Sequence, residues 1–128
     1  MKGWLYVISN QAVAGMVRVG ATSRDPIAFA ASLDKGGLPF PHRVGYEALM
    51  PEMELAEKLV AEALTSKAAG KGWYKCNVAE AVRVIVETVG HAVMVENRHD
   101  PQCRADKMAE DVSSFDPRRR ASILSAPD

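Results

Sequence analysis

Cysteine is scarce. Cys76 and Cys103 are the only two in 128 residues, 27 positions apart with no C-x-x-C or Cys/His spacing, so neither a zinc site nor a disulfide framework is indicated and reduced thiols are expected. The three histidines, His42, His91 and His99, show no metal-ligand spacing, and no Ser-His-Asp or Cys-His signature is present. The glycine pairs lack a following G-K-[ST], so nucleotide binding by a phosphate loop is not supported. An excess of either charge is missing too: Lys plus Arg equals Asp plus Glu at 16 each, so no global basic field advertises nucleic acid. Any DNA-directed reading must rest on local charge. No run approaches the ~18 apolar residues of a membrane span. The amino terminus opens into strand-like sequence rather than a signal peptide, and the expectation is a cytoplasmic protein without a membrane partner.

What is present suits one soluble domain, with 48% hydrophobic and 25% charged residues and a length sufficient for a single core. Charge is uneven along it. Residues 1–46 carry Lys2, Arg18, Arg24, Lys35 and Arg43 against Asp25 and Asp34, a net of +3; residues 47–62 carry five glutamates against Lys58, a net of −4. The ordinary reading of both is a solvated face.

Two strand-like runs organise the chain: Trp4 to Asn10, and Met16 to Gly20. Joined by a short glycine-containing linker, they predict a β-hairpin. Alternation places Trp4, Tyr6 and Ile8 on one face, Leu5 and Val7 on the other. Arg18 is costly to bury alone in a strand, so its face should meet solvent or an anion. Asp25-Pro26 predicts the start of a first helix, apolar nearly all round, ending at Gly36-Gly37. A connector with Pro39 and Pro41 follows, then a third strand over 42–50, placed at an edge because Gly45 interrupts it. A second helix is expected from Pro51 to about Lys67, with Leu55, Leu59, Val60 and Leu64 in its apolar half and Glu57 at the margin. Trp73-Tyr74 reads as a short strand, and Asn77 with Glu80 as the capping box of a third helix that ends at Gly90 or continues to Asn97. Asp100-Pro101 and Asp116-Pro117 repeat the cap-then-proline start, and Arg118-Arg119-Arg120 forms a basic run. The expected architecture is α+β: a mainly antiparallel three-stranded sheet flanked by helices over residues 1–98, and a polar helical C-terminal extension over 99–128.

The triplets Trp4-Leu5-Tyr6 and Arg18-Val19-Gly20, followed by Thr22-Ser23-Arg24-Asp25-Pro26, a helix, a strand, a glutamate-bearing helix and Trp73-Tyr74, resemble the GIY-YIG endonuclease superfamily. The nearest likeness is to a phage and bacterial branch in which a basic residue leads the second triplet. The resemblance spans roughly residues 3–89. It implies a cleft in which Tyr6 and Arg18 handle nucleophile and phosphate, assisted by Arg24, while Glu57 holds one Mg²⁺ or Mn²⁺. A hard cation on one carboxylate, waters and phosphate oxygens is sound chemistry for phosphodiester cleavage.

Three positions depart from the family pattern. Phe29 stands where an arginine is expected on the first helix, Ala61 where a histidine often follows the glutamate, and Gly72 where an acidic residue often precedes the aromatic pair. A phenylalanine cannot neutralise phosphate. The resemblance therefore implies a member with a degenerate cleft, serving as a nucleic-acid-binding or protein-interaction module; the alternative is an active metal-dependent DNA endonuclease. Taken singly, Tyr6 could equally be a core tyrosine, Glu57 a surface carboxylate, and Arg24 the partner of Asp25 or Glu57. The apolar first helix, or the tail, also suggests a homodimer.

Overall fold

Alternation along the first two runs produces a sheet with two different faces. The computed structural model describes residues 1–34 and 40–113. In it β1 (Gly3–Ser9) and β2 (Val17–Thr22) form the expected antiparallel hairpin, joined through a 3-10 turn at Gln11–Val13. Asn10 closes that turn: its side-chain oxygen accepts from the Ala12 N–H, and its amide nitrogen donates to the Phe40 carbonyl at 2.7 Å. β3 (Arg43–Met50) pairs antiparallel with the other edge of β1.

The sheet has six strands rather than three, in the order β4-β5-β2-β1-β3-β6 with every pair antiparallel. The additional strands are short. β4 (Ala68–Gly70) and β5 (Trp73–Tyr74) make a hairpin on β2, and β6 (Val95–Arg98) covers the outer edge of β3. Gly45 therefore does not mark an edge. It marks a close approach, because a methyl group there would meet Val78 Cγ1 at 2.7 Å.

Helix starts follow their capping residues. In α1 (Pro26–Leu33) the Asp25 carboxylate accepts from the Ile27 N–H at 3.1 Å, with Pro26 in the first turn. α2 (Met53–Ala63) is shorter than expected and gives way to a 3-10 turn at Thr65–Lys67. α3 (Val78–Val89) carries the reciprocal Asn77–Glu80 capping box and ends at Gly90, so the chain enters β6 instead of continuing as helix to Asn97. Asp100 accepts from the Cys103 N–H and opens α4 (Pro101–Ser113). The expected stop at Gly36-Gly37, the Pro39 part of the connector, the Asp116-Pro117 start and the Arg118–Arg120 run lie outside the described residues.

One face of the sheet, with Leu5, Val7, Val17, Val19, Tyr46 and Ala48, packs under α2 and α3, and Cys103 of α4 joins the same core. α1 covers the opposite face, where Ala30 meets Tyr6 and Ile8. Because α3 buries Val78, Ala79, Ala81, Val82, Ile85 and Val89, little room remains for α2. Its apolar half is wider than the space left: Ala56, Val60 and Leu64 are buried, but Leu55 and Leu59 are 57% and 38% exposed, not inside as their wheel positions predict. α4 is held by a partly buried ion-pair network around Arg98. Arg98 donates to Glu96 and Glu110 and to the Cys103 carbonyl, and the Tyr46 hydroxyl donates to Glu96 at 2.7 Å. Burial and the Glu96 charge push the Tyr46 phenol well above its usual range.

Candidate functional site

Register decides which side chains can meet. Tyr6 lies opposite Gly20 and Ile8 opposite Arg18, so Tyr6, Arg18 and Gly20 share the face that α1 covers. At Gly20 the absence of a side chain is what admits the others. A methyl group there would meet the Tyr6 hydroxyl oxygen at 2.5 Å and Glu57 Oε2 at 3.3 Å. Phenol and carboxylate thus converge on one backbone position.

Glu57 reaches this spot from a helix packed on the other face, and the sheet edge explains how. β5 pairs with β2 only at Val17 and Arg18, and the Val19 N–H is taken by the Gly72 carbonyl at 3.0 Å. The next outward N–H on that edge belongs to Ala21, which has no strand beside it. It donates to Glu57 Oε2 at 3.1 Å. An exposed carboxylate at the margin of α2 is thereby tied to the rim of the Tyr6 face. Tyr74 lies beneath the same edge; burial, with a smaller contribution from the Glu57 charge, raises its hydroxyl above the ordinary tyrosine range.

Arg18 is half-buried without a carboxylate partner among the described residues. Its guanidinium carbon sits 6.0 Å from the centroid of the Phe29 ring, a cation–π distance, and Nε makes a long 3.5 Å contact to the Tyr6 hydroxyl. The Phe29 ring in turn lies 5.0 Å from that of Tyr6, tilted by 32°. Most of the guanidinium's five donors remain available to an anion.

Of the four residues read as a site, the structure brings Tyr6, Arg18 and Glu57 together and leaves Arg24 apart. Arg24 is exposed; its N–H donates to Thr22 Oγ1, and its side chain pairs with neither Asp25 nor Glu57. Phe29 lies inside the cluster, against Tyr6 and Arg18. Ala61 is one turn beyond Glu57 on α2, and Gly72 occupies the β4–β5 turn with φ +81°.

The donor set suits only one kind of metal site. Among the described residues no three of His, Cys, Asp and Glu group together, whereas Glu57 keeps its second carboxylate oxygen free of protein hydrogen bonds. A hard divalent cation would rest on that single carboxylate, with water and phosphate oxygens completing its shell.

Two polar pairs on the α1 side went unread in the sequence. Glu47, counted there as part of a solvated acidic face, is only 6% exposed; it accepts from Asn97 Nδ2 and lies 3.2 Å from His99 Nε2. Asp34 accepts from the His42 N–H and ring, and these contacts hold its carboxyl below the usual range. A carboxylate on the Tyr6 face of a strand was the available signal for Glu47, but its partners lie about 50 residues away. Comparison with protein-family models, with curated proteins and with solved structures finds no match to this chain.

Proposed function

We propose that the chain is a GIY-YIG-like domain that binds nucleic acid through the cleft around Gly20 without cleaving it, as a reduced cytoplasmic protein. The observation carrying this reading is Phe29. It packs against Tyr6 and Arg18 at the place where the resemblance expects a second cation, so the cleft has one guanidinium where phosphorane charge needs more. Arg18 with its unengaged donors, and Arg24 with none engaged, supply phosphate contacts suited to binding.

A second reading, metal-dependent endonuclease, is favoured by one feature: the Tyr6 hydroxyl and Glu57 carboxylate meet over Gly20. In that reading Glu57 holds Mg²⁺ or Mn²⁺, which neutralises phosphate charge and lowers the pKa of a bound water. Tyr6 then orients the nucleophile from the opposite wall, and Arg18 holds the scissile phosphate.

Labelled oligonucleotide binding measured beside plasmid nicking separates the two. The binding reading predicts metal-independent association, no nicking in Mg²⁺ or Mn²⁺, and equal or tighter binding by Glu57→Gln, which removes a negative charge beside the phosphates. The nuclease reading predicts nicking that Glu57→Gln abolishes. Association of two copies through α1 is a further proposal, supported by Ile27, 56% exposed on that helix. Light scattering at tens of micromolar should give twice the 13.9 kDa chain mass, and a monomer mass would exclude it.

A further inference from the structure

On the same face as Arg18, an open groove of about 480 Å³ is lined by Val13, Met16, Ala69, Gly70, Lys71 and Trp73. That volume lies within the ~300–1,000 Å³ range of small-ligand sites. It adjoins the Tyr6–Arg18–Glu57 cluster directly, because Trp73 is the cross-strand partner of Arg18 and Met16 precedes Arg18 by two. The wall is apolar and aromatic, with one cation at its lip.

That cation is held in an unusual way. Gly70 pairs with Trp73, leaving Lys71 and Gly72 as the two central residues of the turn, with φ of +55° and +81°, the pattern of a type I′ hairpin. Lys71 is the only residue other than glycine with positive φ among the described residues. Asparagine or glycine is the ordinary choice there, and a lysine at that point carries a backbone cost. Its ammonium has no carboxylate within ion-pairing distance among the described residues, and the His42 ring, 6.4 Å from that of Trp73, is bonded to Asp34.

We propose that this groove receives an unpaired base of a single-stranded nucleic acid, stacked on Trp73, with Lys71 and Arg18 on the phosphates to either side. An aromatic platform accepts any base by its π face, and cations flanking it track the backbone. Stacked bases of a duplex present no free face to Trp73, so the groove selects strands with unpaired bases. The inference rests on the nucleic-acid reading of the neighbouring cleft and adds to it the substrate class.

Fluorescein-labelled dT20 and a self-complementary duplex of equal length, titrated with the full chain, test both separately. The expected result is tighter binding of dT20, weakened about tenfold or more by Trp73→Ala. Lys71→Gly should leave the thermal midpoint unchanged or higher, since glycine suits that φ, yet lower the salt slope of dT20 binding by about 0.7. In a Trp4→Phe chain, whose remaining tryptophan is Trp73, dT20 should quench the emission; this readout holds even if Trp73→Ala fails to fold. Equal binding of both probes with no quenching overturns the groove while leaving the nucleic-acid reading intact. Binding of neither probe overturns both.

Discussion

Gly20 is the residue on which the Tyr6–Arg18–Glu57 cluster depends, because any side chain there displaces the Tyr6 hydroxyl or the Glu57 carboxylate. Gly20→Ala should cost about 1–3 kcal/mol in chemical denaturation, the usual range for overpacking, and wild-type stability would show that Tyr6 is not seated over this glycine. The cysteines give a second residue-level test. Burial and the nearby Asp100 carboxylate push the Cys103 thiol up to about 12, and burial raises Cys76 as well. Neither should react with a disulfide reagent at pH 8 until the chain unfolds, since thiolate is the reactive form. Tyr6 and Arg18 were readable from strand alternation, and Glu57 from its place at the margin of an amphipathic helix. Glu47 was not: its place in a strand set it apart from the rest of the run 47–62, but its partners Asn97 and His99 lie 50 and 52 residues on.

Among elements, those with caps or sustained periodicity were legible, as was the aromatic pair of β5, whereas β4 and β6 were not. β4 and β6, three and four residues long, carry no alternation and exist because neighbouring strands offer unpaired edges. α2 was legible as a helix, but its buried face depended on how much room α3 left. Leu59→Gln should therefore change stability by less than about 0.5 kcal/mol, whereas Leu64→Ala, in the core, should cost about 2–5 kcal/mol. The clamp on α4 makes a pH prediction. Burial alone would raise the Glu96 carboxyl, but hydrogen bonds from Arg98 and Tyr46 outweigh it and hold the value below the ordinary carboxylate range. A lowered folded value stabilises the protein above the unfolded carboxylate pKa, and that contribution disappears as pH falls through the folded one. Protease cleavage within α4 should increase on acidification below about pH 4, and Glu96→Gln should flatten that dependence.

For the whole molecule, a six-stranded antiparallel sheet places the two surfaces of the proposed function side by side on the α1 face: the Tyr6–Arg18–Glu57 cluster and the Trp73 groove, joined by the Arg18–Trp73 register pair. With balanced net charge, the proposed nucleic-acid binding would depend on local cations rather than on a general field. Under the proposed function the cluster binds without cutting, because Phe29 stands where the resemblance expects a charge-neutralising residue. The most direct measurement incubates pure protein with supercoiled plasmid and Mg²⁺ or Mn²⁺, at concentrations where binding is saturated. The account predicts plasmid that is bound and intact, identically for wild type and Glu57→Gln; metal-dependent nicking that vanishes in Glu57→Gln would contradict it.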